Sequence, residues 1–494
     1  MRSLVSAVGV ALLGVIALFV INLGIARIAP DHYRAVVAEA VRDGTMTQTV
    51  QQTFAPNRRV AVVGVADCLL LAMLVIPRDS AVRASISPRM PVLPGGVDPP
   101  PAAGFGPDET CRTLAWLMDP NGPPVPLEIK RHHRYLHAPF TVAALMLAVV
   151  PLNVAQWVLL LACYAALGVL AIAAVGRMRA PDPGERRRAI AFLIIAGVLA
   201  FFYALPVFGR GFAHGLTDIV VIVFILVGLL HPLGRLPERH FALVVAAFGT
   251  GIAMLELLTG GIPMGLAILI ALIALGGAPD VRTVRRRLAI GVGCYGVAMA
   301  TGFAAKIAAI AIVWGPGEVA PLFDMLGSRM TGEVRAWPAL EQWGARLGFD
   351  VSSIDHSAVA RRLLSAAMVT YSAFVLAWGS HVLGALFVLA PVPLLMALTW
   401  VALRRVDRDA WLVQPQPLLL VASLVPFAWY MAFPWHTTTH SLFMVRPVAL
   451  NVAFAAIAAV MLPASLRDAG TASADAATQA ARTPRDLAND RKTL

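Results

Sequence analysis

Charge is what this chain lacks. Of 494 residues only 14% are Asp, Glu, Lys or Arg, against 59% apolar residues, and the mean hydropathy is +0.75. No soluble domain of that size buries so much apolar surface, so a soluble globular class is excluded and a bilayer is required. Cysteine is scarce too, with four in the chain. Cys163 and Cys294 fall in apolar runs and read as small packing residues, whereas Cys68 and Cys111 share the one long polar stretch, where an extracytoplasmic disulfide is open to them. There is no Walker A sequence, no GxGxxG fingerprint, no zinc-spaced cysteine set and no fixed-period repeat. The missing P-loop argues against an ATP-driven pump on this chain. The net charge of +12 does not point to nucleic acid, because the arginines crowd against apolar runs, where they meet anionic headgroups and orient the chain.

What is present is an alternation of long apolar runs with short polar clusters at their ends. The predicted architecture is an all-α polytopic membrane protein. A first transmembrane helix covers residues 1–28, with its N-terminus cytoplasmic, and a large extracytoplasmic loop domain covers 29–138. A helix bundle follows over 139–314, an amphipathic extramembrane connection over 315–361, C-terminal transmembrane helices over 362–463 and a disordered tail over 464–494. The runs at 140–175 and 363–401 are long enough for two crossings each, which gives roughly eleven to thirteen helices. Basic clusters at 177–188, 282–287 and 404–408 all ask to be cytoplasmic, and simple alternation does not satisfy all three. Either one long run crosses once, or the apolar segment 60–76 also enters the membrane; that segment reads equally as a buried strand or an interfacial helix.

Three polar clusters carry chemistry. The loop ends in Lys130-Arg131-His132-His133-Arg134-Tyr135-Leu136-His137, directly before Pro139 and the next apolar run. Three imidazoles and three cations at headgroup depth form an anion-binding surface suited to phosphate, or else a snorkelling interfacial anchor. In the second cluster, His436 and His440 are four apart on one helical face, with Arg446 a few turns deeper, where it needs a partner or a wet cavity. This i, i+4 pair also admits a divalent metal, but the glutamate of an HExxH site is missing, so no metal site is assigned and a divalent metal stays open as the one cofactor. The third cluster is His214 and Asp218, a polar pair suited to proton relay or to satisfying two groups between helices. Glu256 and Lys306 are isolated ionisable residues deep in apolar runs.

The layout resembles the GT-C class of membrane glycosyltransferases: a short cytoplasmic start, a large first extracytoplasmic loop and an acidic residue, Asp31, just after the first helix. Asp67-Cys68, Arg134-Tyr135-Leu136-His137 and the stretch from His436 to Arg446 also resemble segments of bacterial membrane proteins. The resemblance implies a polyprenyl-phosphate-linked sugar donor held among membrane lipids, an extracytoplasmic lipid, glycan or protein acceptor, and a bacterial inner-membrane location. It implies Asp31 as the base and Arg131, Arg134 and Arg446 as phosphate ligands, with His137, His436 and His440 shaping the site. Many members carry two adjacent acidic residues where this chain has Asp31-His32. The alternatives are a secondary transporter or lipid-carrier flippase using His214 and Asp218 as a relay, and an O-antigen polymerase or ligase. The single-site expectation is that Asp31, Arg134, His137 and the 436–446 segment surround one extracytoplasmic cavity.

Overall fold

The computed structural model describes residues 2–45, 50–52, 59–61, 65–94, 109–119, 121, 127–203, 205–256, 260–331, 341, 345, 358–378, 415–434, 437, 444 and 446–461. The chain is an all-α polytopic membrane protein. Five helices are long and apolar enough to cross a bilayer: α1 (Arg2–Ile25), α7 (Leu152–Arg177), α11 (Glu238–Leu255), α13 (Val281–Trp314) and the Pro415–Ala432 helix. Shorter apolar helices pack among them: α10 (Gly215–Leu230), α12 (Gly261–Ala274) and the Arg446–Met461 helix. The outer faces of α1 and α7 present large apolar side chains, including Leu13 at 70% and Ile172 at 74% exposure. In water such surfaces would drive aggregation; against lipid they cost nothing.

Helix starts follow from local chemistry. Asp182 caps α8 (Pro183–Phe202) by accepting from the Gly184 and Glu185 N–H groups, with Pro183 at the first helical position. Asp280 caps α13 through the Thr283 N–H at 2.7 Å.

At one end of the bundle Arg177 donates to the Leu230 carbonyl, Arg188 donates to the Gly228 and Leu229 carbonyls, and Arg235 pairs with Glu185. Arg286 pairs with Glu238 and the Cys294 thiol points at the Ser3 carbonyl, so α1 and α13 both begin at this end. Arginine here satisfies the orphan carbonyls at helix C-termini.

The loop domain covers the other end. It contains α2 (Pro30–Arg42), α3 (Val65–Val75), α4 (Ala81–Ile86) and α5 (Glu109–Met118), with two short antiparallel pairs, β1–β2 (Val50–Gln52, Arg59–Ala61) and β3–β4 (Arg89–Val92, Glu128–Arg131). A disulfide between Cys68 and Cys111 joins α3 to α5, with Cα atoms 5.1 Å apart.

The structure bears on two points of topology that the sequence leaves open. The 140–175 run does not cross twice, because α6 (Ala138–Leu147) is only ten residues long and stays with the loop domain. Phe140, Ala144 and Leu147 share one core with Tyr33, Cys68 and Cys111, and so do Leu152 and Leu159 at the start of α7. Segment 60–76 is not a crossing either: it supplies the end of β2 and the buried α3, which packs on α2, α5 and α6 inside the loop domain. With α6 removed from the count, α7 ends at Arg177 and both described basic clusters lie at the same end of the bundle. The 404–408 cluster and the 464–494 tail lie outside the described residues.

Within the bundle, α11 and α13 approach closely because Gly249 of α11 faces the Tyr295 backbone; a Cβ there would stand 3.0 Å from the Tyr295 carbonyl oxygen. Asn22 of α1 ties the bundle to the loop domain. Its amide donates to the Ser85 carbonyl at 3.2 Å, and its oxygen accepts from the Thr141 hydroxyl of α6 at 2.6 Å.

Candidate functional site

The loop domain's basic hairpin builds a cavity of about 770 Å³ against the bundle. Its polar wall is Arg83, Arg89, Lys130, Arg131, His132, His133 and Arg134, with the carboxylates of Asp79 and Glu318. Its apolar lining comes from Met90, Val92 and Ile129 of the hairpin and from Pro321, Leu322 and Met325 of α14 (Ala320–Thr331), the helix that follows α13 through the 3-10 turn Pro316–Glu318. In the β3–β4 register Arg89 stands directly opposite Arg131. Like charges across a strand pair are unfavourable, so this placement makes sense where an anion is received. Arg131 is set by Glu318 at 3.6 Å, by Asp79 at 3.9 Å and by the Trp314 ring, whose centroid lies 5.5 Å from its guanidinium.

Below this wall the histidines are buried and positioned. His133 Nε2 faces Glu318 Oε2 at 3.5 Å, and its Nδ1 meets the Ser87 hydroxyl at 2.8 Å. Since a carboxylate only accepts, the proton belongs on Nε2 and Ser87 donates to Nδ1. Burial, reinforced by the nearby Lys306 ammonium, holds the His133 imidazole below its ordinary pKa, partly offset by Glu318. His137 is the N-cap of α6 in a left-handed conformation (φ 65°), and its Nε2 donates to the His132 carbonyl at 2.7 Å. Burial, with Lys306 next, depresses its pKa strongly. Lys306 of α13 donates to the Ile86 carbonyl at the end of α4.

A second polar centre lies inside the bundle. Arg446 donates to Asp218 Oδ1 at 2.6 Å and to His214 Nδ1 at 3.1 Å, and both members of the ion pair are fully buried. The imidazole accepts from the guanidinium, so His214 is neutral with its proton on Nε2. Phe208 closes the site, its ring 5.6 Å from the guanidinium and 5.3 Å from the His214 ring. The loop domain reaches this centre through Asp67 of α3, which accepts from the Ala213 N–H at 3.1 Å, one residue before His214. Burial pushes the Asp67 carboxyl up to about 7, against the lowering effect of the Ala213 and Phe212 N–H groups.

The residues singled out in the sequence therefore divide among three places, which corrects the single-cavity expectation. Arg131 and Arg134 line the basic cavity, with His137 buried near it. Arg446 is not a cavity residue; the sequence's separate relay pair, His214 and Asp218, is its partner. Asp31 lies on the outer face of α2 with its side chain 89% exposed, 4.0 Å from Arg34, and does not line the cavity. His436 and His440 lie outside the described residues. Among the described residues no group of three His, Cys, Asp or Glu has metal-binding geometry. Sequence reasoning missed Asp79 and Glu318 as cavity groups. Neither had a motif, and the one available signal for Glu318 was an acidic residue at the loop-side end of a membrane helix.

Fold and site together define an all-α integral membrane protein with a basic, extramembrane cavity at the foot of its loop domain. Comparison of the chain with protein-family models, curated proteins and solved structures finds no match to any.

Proposed function

We propose that this protein is a membrane transferase that takes a sugar from a polyprenyl-phosphate-linked donor and moves it to an extracytoplasmic acceptor, in a bacterial inner membrane. The single observation that carries the reading is the cavity's mixed lining. It combines Arg83, Arg89, Lys130, Arg131 and Arg134 with the apolar side chains of Met90, Val92, Ile129, Pro321, Leu322 and Met325. A phosphate with a hydrocarbon tail matches both kinds of lining at once. A lipid-borne donor also needs no nucleotide motif. In this reading the guanidiniums hold the phosphate and stabilise the charge it gains as the C1–O bond to the sugar breaks.

The test is donor turnover by the full-length protein in membranes, using a panel of radiolabelled polyprenyl-phosphate monosaccharides and following release of polyprenyl phosphate. Arg131→Gln and Arg134→Gln are expected to weaken donor use at least tenfold each, the size of one charge-assisted contact. Turnover of every donor unchanged by both substitutions refutes the reading.

A second reading, a proton-linked transporter or flippase, has one specific observation in its favour: the buried Arg446–Asp218–His214 centre. It predicts that Asp218→Asn stops movement of an anionic substrate across the membrane while the cavity arginines are dispensable.

A further inference from the structure

We propose that Glu318 is the general base of the transfer reaction and that His133 is its positioning residue. This inference rests on the transferase reading above and assigns its missing proton acceptor. Displacing the donor phosphate requires a group to take the acceptor's hydroxyl proton, and Asp31 stands outside the cavity.

Among the described residues two carboxylates line the cavity, Asp79 and Glu318. Asp79 is bound to the backbone: its Oδ1 accepts from the Ser80 N–H at 3.1 Å, and its Oδ2 lies 3.9 Å from both Arg83 and Arg131. Glu318 is the more exposed of the two, 42% against 22%, and its oxygens stand 3.6 Å from Arg131 and 3.5 Å from His133. Its backbone is fixed by the 3-10 turn at the end of α13, so the carboxylate is aimed by an ion pair on one side and an imidazole on the other.

His133 fixes that aim. The Ser87 hydroxyl on Nδ1 and the edge contact with Trp314, 5.0 Å between ring centroids, hold the imidazole with Nε2 toward Glu318. The order of groups is the reverse of a serine hydrolase. Ser87 is sealed, 1% exposed, and the carboxylate faces the open space, so the serine serves the imidazole and not a substrate.

The step balances without a further reactant. The acceptor O–H gives its proton to Glu318, and its oxygen forms the new bond to C1 of the sugar. The C1–O bond to phosphate breaks with its electron pair remaining on the phosphate oxygen. Polyprenyl phosphate leaves as an anion beside Arg131 and Arg134.

The experiment uses the full-length protein in native membranes, with the same donor panel and an equilibrium measurement of polyprenyl phosphate binding. Glu318→Gln is expected to lower kcat about 10²- to 10⁴-fold, with polyprenyl phosphate affinity within threefold of wild type. Glu318→Ala is expected to regain activity in added formate, which a structural role for the glutamate would not produce. His133→Gln is expected to lower kcat about tenfold and alter the acid limb of the pH–rate profile. Three outcomes overturn the assignment: wild-type turnover by Glu318→Gln, loss of polyprenyl phosphate binding equal to the loss of kcat, or a kcat collapse in Asp79→Asn or Asp31→Asn that Glu318→Gln does not share. Wild-type protein that binds no donor and releases no polyprenyl phosphate removes the transferase reading itself, and the assignment with it.

Discussion

Asp218→Asn isolates the energetics of the bundle centre. The substitution keeps the shape of the side chain and an oxygen able to accept from Arg446, but removes the negative charge 2.6 Å from a fully buried guanidinium. His214 is neutral and already accepts from the other guanidinium nitrogen at 3.1 Å. Two routes give the cost. Breaking a buried pair by removing one partner costs about 3–5 kcal/mol. A pair with charge centres near 4 Å apart in an effective dielectric of about 20 gives about 4 kcal/mol. The expected loss is therefore about 3–5 kcal/mol, read from equilibrium unfolding in SDS–detergent mixtures. Arg446→Met should cost a similar amount by leaving Asp218 unpaired. The double change Asp218→Leu with Arg446→Met should recover to within about 1 kcal/mol of wild type, because well-packed apolar residues replace a buried pair at little cost. A loss below about 1 kcal/mol for Asp218→Asn refutes the reasoning, since it means that solvent or another group neutralises Arg446.

Other expectations concern separate parts of the molecule. Maleimide–polymer labelling should mark Cys68 and Cys111 only after reduction, and Cys68→Ala with Cys111→Ala should cost about 2–5 kcal/mol, because the bridge closes a 43-residue separation. Gly249→Ala should destabilise by about 1–3 kcal/mol through its clash with the Tyr295 backbone, whereas Gly296→Ala, with open space around its Cβ position, should be neutral or mildly stabilising. Burial raises the folded-state pKa of Asp67 to about 7, above its unfolded value, so its contribution is fully present at low pH and is lost as pH rises through about 7. Asp67→Asn should therefore cost less stability at pH 8 than at pH 5, and unfolding midpoints of the two proteins at both pH values check the sign.

Much of the frame was legible without coordinates. Hydropathy located α1, α7, α10, α11 and α13, because apolar length is a local property that the bilayer demands of every spanning segment. The loop domain was legible as the one long polar insertion, and its two cysteines as a pair with a shared compartment. Less legible was what an apolar run does. Residues 140–175 read as two crossings because hydropathy cannot separate a helix facing lipid from one buried in protein. α6 is apolar because α1, α2 and α3 pack around it, and not because it spans.

The site divided in the same way. The residue types were present in the sequence: a basic hairpin end, an i, i+4 His–Asp pair, a lone arginine in the last apolar run. Their grouping was not. Arg446 reads as a phosphate ligand until the fold sets it against Asp218, 228 positions away, and Asp31 reads as a base until α2 turns it outward. Sequence by itself determined that this protein lives in a membrane, how its segments alternate and which cations cluster at which helix ends, since each follows from neighbours along the chain. Only the tertiary structure decided which carboxylate meets which cation, because those pairs form between segments far apart in sequence, and close helix packing alone chooses the partners that keep buried charge from standing alone.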